Sequence, residues 1–344
     1  MLLDELYITL FMSSNQSNQQ IITLLSELAE CYKKDYKLKI KYKAINAAVN
    51  NIRKFPDAIL SGEDALTKIN GIGDGIAKRI NEILTTGTLA ELQNFRINPD
   101  ATLDKINDLK RITGLGDKRA ELLVKEGIDS VDKYRKAVAE GRAQTTHHIQ
   151  VGLKWFDDLE QKIPRQEIEE MERFLQNTLA ELDSELMMNI CGSYRRGRAL
   201  CGDIDVLVTK KQNPKNIAYL PLFVDALTKK GFLVDHLTSH GDKKYMGVCK
   251  MQAMARSSGL GRRIDIRYVD YSAFWAAIIY FTGSMKFNVD IRRIALASEP
   301  ISYSLSEYGL KEKESGKMII LHSEEELFDL LKIPYVPPTE RDIQ

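Results

Sequence analysis

The sequence predicts an all-α N-terminal half followed by an α/β half. Up to about residue 160, apolar residues recur at the spacing of amphipathic helices, Gly and Pro interrupt them, and no strand-like run occurs. From about residue 186, short β-rich runs such as DIDVLVT and RIDIRYV alternate with helical segments. With 344 residues, the chain is long enough for two or three domains.

The overall charge gives no strong indication of a partner. Lys and Arg number 49 and Asp and Glu number 48, so the net charge of +1 excludes a histone-like polycation and argues mildly against a nucleic-acid binder. The charge is nevertheless segregated, because residues 31–60 carry eight basic and two acidic groups while residues 1–30 and 301–344 are acidic. The basic stretch fits a solvated helix surface or a DNA-binding surface whose affinity weakens with salt.

The cysteines and the N-terminus predict a soluble intracellular protein. The four cysteines are widely spaced and form no C-x-x-C pair, which favours unpaired thiols in a reducing compartment. The apolar segment 1–12 is short, carries acidic residues and has no cleavage site, so it predicts neither a signal peptide nor a membrane span. A polar spacer is expected at residues 13–20, between this segment and the first helix.

A repeat in the N-terminal half predicts two phosphate-binding turns. The sequence INGIGD at residues 69–74 recurs as ITGLGD at residues 112–117, and an amphipathic helix follows each copy. This is a helix-hairpin-helix signature, in which glycines let the turn approach a phosphate and the next helix offers its N–H groups. Two ordinary Gly-containing turns are the alternative, but the paired copies favour DNA backbone binding. The predicted contacts are Gly71, Gly73, Gly114 and Gly116.

The α/β half contains a pattern of acidic residues that predicts a metal site. The turn GSYRRG at residues 192–197 precedes the strand pattern GDIDVLV, in which Asp203 and Asp205 should share one strand face. Asp265 alternates with isoleucines in a second strand pattern. A D-x-D motif alone also fits a solvated strand edge. Three carboxylates from two strands, together with the Gly-Ser turn, favour two Mg²⁺ ions and the nucleotidyltransferase superfamily.

Several further segments, in the same order along the chain, resemble the family X DNA polymerases of the polymerase beta type. They are HHIQVGLKWFDDLEQKIPRQE, GSYRRG-x4-GDIDVLV, KKYMGVCKM, RRIDIR, YFTGS-x2-FN and LSEYGL, and the similarity extends from about residue 40 to the C-terminus. The resemblance implies an α N-terminal domain with two helix-hairpin-helix motifs, an α/β nucleotidyltransferase palm and a C-terminal α+β nucleotide-selection subdomain. The implied parts are a small lyase-type domain (13–96), a DNA-binding subdomain (97–164), the catalytic palm (165–271) and the nucleotide-selection subdomain (272–344).

The resemblance also implies roles for individual residues. Asp203 and Asp205 would bind two Mg²⁺ ions, or Mn²⁺ in their place, and Asp265 would bind the catalytic metal and accept the primer proton. The residues implied in nucleotide binding are Arg165, Ser193, Arg196, Gly202, Tyr280, Phe281, Gly283 and Asn288. Those implied at the template or in a closing switch are Arg267, Arg292, Glu307 and Tyr308. Main-chain carbonyls implied to hold K⁺ or Na⁺ in the hairpins are those of Thr67, Ile69, Ile72, Lys110, Ile112 and Leu115.

The chain departs from the family pattern at the lysine of the lyase-type domain. An ungapped match places Arg79 at that position, and a guanidinium cannot form the Schiff base that lyase chemistry needs. Lys78, Lys41 and Lys43 are the replacement candidates, although the side chain of Lys78 should face elsewhere. We therefore expect lyase activity to be absent or weak. Met285 and Val289 also replace charged family residues, which predicts altered fidelity.

The expected function is template-directed filling of short DNA gaps in base excision repair. A template-independent terminal transferase of the same family is one alternative, and the short segment from Leu237 through Ser239 and His240 to Tyr245 argues against it. A non-catalytic DNA-binding scaffold is the other, and the complete set of carboxylates argues against it. The expected partners are gapped or nicked double-stranded DNA and deoxynucleoside triphosphates, for a monomer without a membrane. The expected location is the nucleus in a eukaryotic cell, or the virion or viral factory for a virus.

Overall fold

The computed structural model describes residues 2–97, 101–238, 241–251 and 259–342, with side chains from Asn18 onward. The chain divides into two compact units, residues 1–144 and 145–344. The described part of the first unit is helical, and the strands lie in the second unit, as the sequence predicts. The finer predicted division at residues 97, 165 and 272 stays a prediction.

The first unit consists of eight described α-helices and one short 3-10 turn at Tyr36–Leu38. The helices are α1 (Leu2–Lys34), α2 (Lys39–Ile52), α3 (Gly62–Lys68), α4 (Asp74–Thr86), α5 (Ala90–Ile97), α6 (Ala101–Leu109), α7 (Asp117–Lys125) and α8 (Val131–Ala139).

Helix α1 shows that the predicted polar spacer at residues 13–20 is wrong. The helix continues through this segment without a break. Its polar side chains find backbone partners far along the chain: Asn18 donates to the carbonyl of Asp57 at 2.8 Å and accepts from the amide of Ile59 at 3.0 Å. These bonds satisfy a polar side chain that is buried inside the unit. None of the described helices is long and apolar enough to cross a membrane.

The two repeat copies fold into matching turns. Gly71 adopts φ 82° in the turn between α3 and α4, and Gly114 adopts φ 90° between α6 and α7. In each turn a backbone amide bonds back three residues, from Ile72 to Ile69 and from Leu115 to Ile112. Because the left-handed conformation favours glycine, the sequence pattern and the turn geometry agree. Helices α4 and α7 begin directly after Gly73 and Gly116.

The second unit combines eight described α-helices with ten strands and a 3-10 turn at Pro338–Glu340. The helices are α9 (His147–Lys154), α10 (Phe156–Leu159), α11 (Arg165–Leu182), α12 (Gly192–Arg195), α13 (Tyr219–Lys229), α14 (Tyr271–Thr282), α15 (Met285–Ala297) and α16 (Glu324–Leu330). The strands are β1 (Ile163–Pro164), β2 (Leu186–Ile190), β3 (Leu200–Cys201), β4 (Ile204–Lys210), β5 (Leu233–His236), β6 (Lys244–Cys249), β7 (Arg262–Tyr268), β8 (Tyr303–Ser306), β9 (Gly309–Glu312) and β10 (Met318–Ile319).

A five-stranded mixed sheet is the framework of this unit. Its strand order is β2-β4-β7-β6-β5, with β4 and β7 parallel and the other neighbours antiparallel. Apolar residues alternate along β7, where Ile264 and Ile266 are fully buried, and they pack in one cluster with residues of α11 and α13. The alternate residues of β7, among them Asp265, therefore face the other side of the sheet.

The C-terminal part has its own apolar cluster. Strands β8, β9 and β10 form a small antiparallel sheet that packs with α14, α15 and α16. Leu207 of β4 and Cys191 belong to this cluster, so it joins the five-stranded sheet directly. Segment 145–164 also packs on the sheet: Asp158 accepts from the amide of Gly261 at 2.7 Å.

Candidate active site

The structure places the predicted carboxylates side by side on the parallel strand pair. Asp205 of β4 and Asp265 of β7 are direct register partners. Side chains at paired positions of neighbouring strands point to the same face, so both carboxylates lie on one side of the sheet. Asp203 lies one residue before β4 rather than within it. The structure therefore assembles the predicted acidic group from two strands and the bend that leads into one of them.

Gly192 brings the preceding turn close to this group. It follows β2, adopts φ 57° and begins the short helix α12. The amide of Cys191 donates to the carbonyl of Asp205 at 2.7 Å, which fixes the turn against β4. A Cβ atom at position 192 would lie 2.3 Å from Oδ2 of Asp205. Only glycine fits here without displacing the carboxylate, because both the space and the backbone conformation exclude a side chain.

A cavity of about 460 Å³ opens beside the carboxylates. It brings together most of the predicted nucleotide-binding residues from the turn, from α14 and from α15. Its lining consists of Gly192, Ser193, Arg196, Asp203, Asp205, Tyr280, Phe281, Thr282, Gly283, Ser284, Met285, Asn288, Val289 and Arg292. The size and mixed lining are typical of a small-molecule site.

Electrostatics in the site disfavour charge on its carboxylates. Burial, followed by the charges of Asp203 and Asp265, raises the pKa of Asp205 to about 7. Burial likewise raises the pKa of Asp203, although the charge of Arg263 opposes the shift. Arg263 also donates to both oxygens of Asp265 at 3.2 Å. Asp205 keeps a raised pKa despite the nearby charge of Arg263, so its carboxylate would gain from a bound cation.

The donor set fits a hard divalent cation. Carboxylate oxygens are the ligands that Mg²⁺ and Mn²⁺ prefer, and buried carboxylates with raised pKa values gain from a bound cation. Among the described residues, no three His, Cys, Asp or Glu side chains are already arranged around one ion position. The ion pair between Arg263 and Asp265 accounts for part of this, because it occupies oxygens that metal binding needs.

Hydrogen bonds and ring contacts hold the wall opposite the carboxylates. Arg196 donates from Nη1 to the carbonyl of Thr282 at 2.6 Å, and Asn288 donates to the carbonyl of Tyr280 at 2.7 Å. The guanidinium of Arg292 lies 4.7 Å from the centre of the Tyr280 ring. Asn288 and Arg292, which the resemblance implies at the nucleotide and at the template or closing switch, therefore both contact Tyr280 in this structure.

Other predicted residues lie outside the cavity lining. Arg165 donates to the carbonyl of Tyr194 at 2.6 Å and stacks on that ring at 4.2 Å. Arg267 lies 5.5 Å from the centre of the Phe281 ring. Tyr308 is 76% exposed. Gly202 and Glu307 do not line the cavity either.

A buried ionic network behind the cavity was not found from the sequence. Arg195 donates to Thr282 at 3.0 Å and to Glu324 at 3.1 Å, and Arg341 donates to Glu324 at 2.8 Å. The next residue, Asp342, accepts from Arg196 at 2.6 Å. The pairs of Arg195 with Glu324 and of Arg196 with Asp342 are 129 and 146 residues apart, and no local spacing pattern connects them.

The first unit has a separate cavity of about 390 Å³ beside the first hairpin. Its lining includes Tyr32, Lys41, Gly71, Gly73, Gly75, Ile76 and Arg79. Of the three predicted lysine candidates, Lys41 lines this cavity, whereas Lys43 and Lys78 do not. The Lys41 ammonium lies 5.7 Å from the centre of the Tyr32 ring.

Arg79 in this cavity is held by an ion pair. Its Nη2 lies 2.7 Å from Oε2 of Glu91, and its Nη1 donates to the carbonyl of Gly75 at 2.8 Å. The hydroxyl of Tyr32 donates to the same carboxylate. Burial by itself raises the pKa of Glu91, but the bonds from Tyr32 and Arg79 outweigh it and lower the pKa below its usual value. Glu91 therefore stays ionised and keeps the guanidinium in place.

Comparisons with known families match the chain in several segments. Residues 162–271 match the DNA polymerase beta palm, and residues 277–342 match the DNA polymerase beta thumb. Residues 16–89 match a helix-hairpin-helix domain, and residues 63–126 match a SAM-like helix-hairpin-helix tandem. The palm match contains all three carboxylates. The first hairpin lies in both helix-hairpin-helix matches, and the second lies in the tandem match.

The chain is also similar to two curated proteins over most of its length. It is 31% identical over 335 residues to DNA polymerase lambda of Rattus norvegicus, covering 92% of this chain and 56% of that protein. It is 31% identical over 348 residues to DNA polymerase lambda of Arabidopsis thaliana, covering 95% of this chain and 62% of that protein. The chain thus spans about three fifths of the length of these relatives.

Proposed function

Because the chain belongs to the family X DNA polymerases, we propose that it is a template-directed DNA polymerase that fills short gaps in base excision repair. The observation that carries the proposal is the register pairing of Asp205 with Asp265 beside a cavity lined by the nucleotide-binding residues. Members of this family depend on divalent metal ions. Asp203, Asp205 and Asp265 would hold two Mg²⁺ ions, or Mn²⁺ in their place.

The reaction is transfer of a nucleotidyl group to the 3′-hydroxyl of a primer. Bound metal would lower the pKa of that hydroxyl and neutralise charge on the triphosphate. Asp265 accepts the hydroxyl proton, which requires its ion pair with Arg263 to open. Ser193 and Arg196 donate to the β- and γ-phosphates from the turn before β4. The pyrophosphate then leaves from the same side of the cavity.

Selection of the incoming nucleotide depends on the wall from Tyr280 to Asn288. The backbone at Thr282 and Gly283, which lines the cavity, would approach the sugar closely and exclude a ribose 2′-hydroxyl, so that deoxynucleotides are favoured. Asn288 donates to the minor-groove edge of the base once it leaves the carbonyl of Tyr280. Arg292 and Tyr308 contact the template side, and Arg267 and Glu307 take part in closing.

The two hairpins hold the DNA backbone on either side of a gap. Gly71, Gly73, Gly114 and Gly116 let phosphates approach the N-termini of α4 and α7. K⁺ or Na⁺, bound by main-chain carbonyls in each turn, would add attraction for phosphate. Gapped or nicked DNA is the substrate, the chain acts as a monomer, and its location is the nucleus or, for a virus, the virion or viral factory.

Replacing Asp265 with Ala tests this function directly. We expect primer extension on a one-nucleotide gap with Mg²⁺ to fall by at least about 10³-fold, because the base and a metal ligand are lost together. The matched control is Asp329→Ala, which removes an exposed carboxylate on α16 and should leave extension unchanged. Extension that survives in Asp265→Ala contradicts the two-metal mechanism.

Two further assays separate the alternative functions. A terminal transferase would extend a single-stranded primer without a template, whereas a scaffold would bind gapped DNA without extending it. Within the segment that the sequence assigns to template choice, Ser239 and His240 lie outside the described residues, so the substrate test decides this point.

For the first unit, we infer that lyase activity is absent or weak. Arg79 stands in the cavity beside Gly71 and Gly73, and its guanidinium is bound to Glu91, so it offers no amine that can lose a proton. Borohydride reduction on an incised abasic duplex should trap no covalent adduct above the level seen with a duplex that lacks the abasic site. A trapped adduct would refute the inference, and peptide mapping would then identify the lysine, with Lys41 as the candidate in the cavity.

A further inference from the structure

The last described residues of the chain contact the phosphate-binding turn. The carboxylate of Asp342 accepts from Nε of Arg196 at 2.6 Å and from Nε of Arg198 at 2.5 Å. The Asp342 and Arg196 side chains are 17% and 16% exposed, so this pair is largely shielded from water. Neither the sequence motifs nor the proposed reaction assigns a role to Asp342.

Arg196 is fixed at two of its nitrogens. While Nε is bound to Asp342, Nη1 donates to the carbonyl of Thr282 at 2.6 Å. A guanidinium is planar, so two bonds on different nitrogens determine the direction of the whole group. Arg196 lines the cavity in this orientation. Without Asp342, a single bond would remain to hold it.

The position of Asp342 is itself determined by its neighbour. Arg341 is completely buried, donates to Glu324 at 2.8 Å and to the carbonyl of Val336 at 2.9 Å, and stacks on Phe287 at 5.0 Å. Its own carbonyl accepts from the hydroxyl of Ser284, a residue of the cavity wall, at 2.7 Å. The segment that carries Asp342 is therefore anchored to the cavity at several points.

Asp342 is ionised at neutral pH. Burial by itself raises the pKa of this carboxyl, but the hydrogen bonds and charges of Arg196 and Arg198 outweigh burial and lower the pKa below its usual value. One carboxylate between two guanidiniums leaves the group with a net positive charge. The turn therefore still attracts an anion while Asp342 holds Arg196 in place.

We propose that Asp342 is a positioning residue for nucleotide binding, which aims Arg196 at the triphosphate of the incoming nucleotide. The proposal rests on the proposed function, because it takes Arg196 to be a phosphate donor. The competing outcome is that Asp342 occupies Arg196 and must be displaced by the triphosphate. Positioning and competition predict opposite changes in affinity for the nucleotide.

The test is steady-state extension of a one-nucleotide gap by the full chain with Asp342→Asn. We expect the KM for the nucleotide to rise about tenfold, the size of one lost charge-assisted bond, with kcat within about twofold of the wild type. Asp342→Glu, which keeps the charge, should recover most of the affinity. The matched control is Glu340→Gln, an exposed carboxylate two residues earlier, which should leave KM unchanged.

Arg198→Gln and thermal unfolding complete the test. Arg198 is 58% exposed and shares only the second oxygen of Asp342, so its loss should change KM by less than about twofold. If the melting temperature of Asp342→Asn is close to that of the wild type, a change in KM comes from the site. If the melting temperature falls, recovery of KM in Asp342→Glu still separates the effect of the carboxylate charge from an effect on folding. An unchanged or lower KM in Asp342→Asn overturns the proposal. A wild-type chain that does not extend primers overturns the proposed function, and the proposal with it.

Discussion

The carboxylate of Asp205 lies in surroundings that disfavour its charge. Burial and two neighbouring carboxylates raise its pKa to about 7, while the paired Asp265 is neutralised in part by Arg263. Such a group destabilises the metal-free protein at any pH where it is ionised. The free energy stored in this repulsion becomes available when a cation binds, so stability and metal affinity are linked at this residue.

Replacing Asp205 with Asn should stabilise the metal-free protein at pH 8. A raised pKa in the folded state means that the stability contribution of the protonated carboxyl is complete only below its ordinary pKa, is partly lost at pH 5 and is fully lost once the pH has risen through about 7. We expect Asp205→Asn to increase the free energy of unfolding by about 1–3 kcal/mol at pH 8 and by much less at pH 5. Urea unfolding at pH 5 and at pH 8, in the presence of a metal chelator, measures this difference in the free energy of unfolding.

The control for this prediction is Asp329→Asn, which should show no such pH dependence because Asp329 is exposed. An effect of equal size at pH 5 and pH 8 would show that charge repulsion is not its cause. Adding Mg²⁺ should stabilise the wild type and not Asp205→Asn.

The residues of the site differ in how far the sequence could predict them. Asp205 and Asp265 could be predicted because alternation along a strand is a local rule that any strand obeys, whereas Asp203 lies in the bend before β4. The ion pair of Arg79 with Glu91 and the bond of Arg196 with Asp342 could not be predicted, since each joins residues that only the folded chain brings together. Arg165, which the resemblance implies in nucleotide binding, donates to the carbonyl of Tyr194 in this structure, and its role at the nucleotide stays a prediction.

A buried ion pair ties helix α11 to the start of strand β7. Arg262 donates to both oxygens of Glu167, at 2.8 and 3.0 Å, and both side chains are 2% exposed. Arg262 also donates to the carbonyl of Gln161 at 3.1 Å. Asp265 lies three residues after Arg262, so this pair fixes the end of the strand that carries a proposed metal-binding carboxylate.

Replacing Glu167 with Gln should destabilise the second unit strongly. The change removes the negative charge that Glu167 gives to a buried guanidinium, and breaking a buried ion pair in this way typically costs about 3–5 kcal/mol. We expect a loss of this size in urea unfolding. Glu169→Gln on the same helix, whose partner Arg165 is 36% exposed, should cost less than about 1 kcal/mol.

The double variant Glu167→Leu with Arg262→Met separates charge from packing. It should recover most of the lost stability, because two apolar side chains of similar volume leave no buried charge. If the double variant is no more stable than Glu167→Gln, then the hydrogen bonds rather than the unpaired charge account for the loss.

Among the helices and strands, long periodic patterns were predicted well and short or polar ones were not. The strands β4, β6 and β7 coincide with the apolar runs noted in the sequence. The polar stretch at 13–20 lies within α1, since Asn18 is satisfied by backbone of the loop at Asp57 and Ile59, which no local pattern reveals. The two-residue strands β1, β3 and β10 are too short for any periodicity.

For the molecule as a whole, the net charge of +1 proved a poor guide to function. It averages a basic segment beside the first hairpin, acidic ends and a cluster of carboxylates that repel one another. The order of helical and mixed parts was predicted, because it depends on the kind of periodicity in each half. The packing within each unit could be described only from the structure, because the residue pairs that stabilise it are distant in sequence.

The parallel pairing of β4 with β7 also constrains how the protein is made. Asp205 and Asp265 are sixty residues apart, and α13, β5 and β6 lie between them in the chain. A ribosome-bound chain that has released only β4 carries Asp203 and Asp205 but not Asp265. Long-range pairing of this kind forms slowly. The full acidic group is therefore complete only after β7 has been made, when the four other strands of the sheet are already available to hold the like charges together.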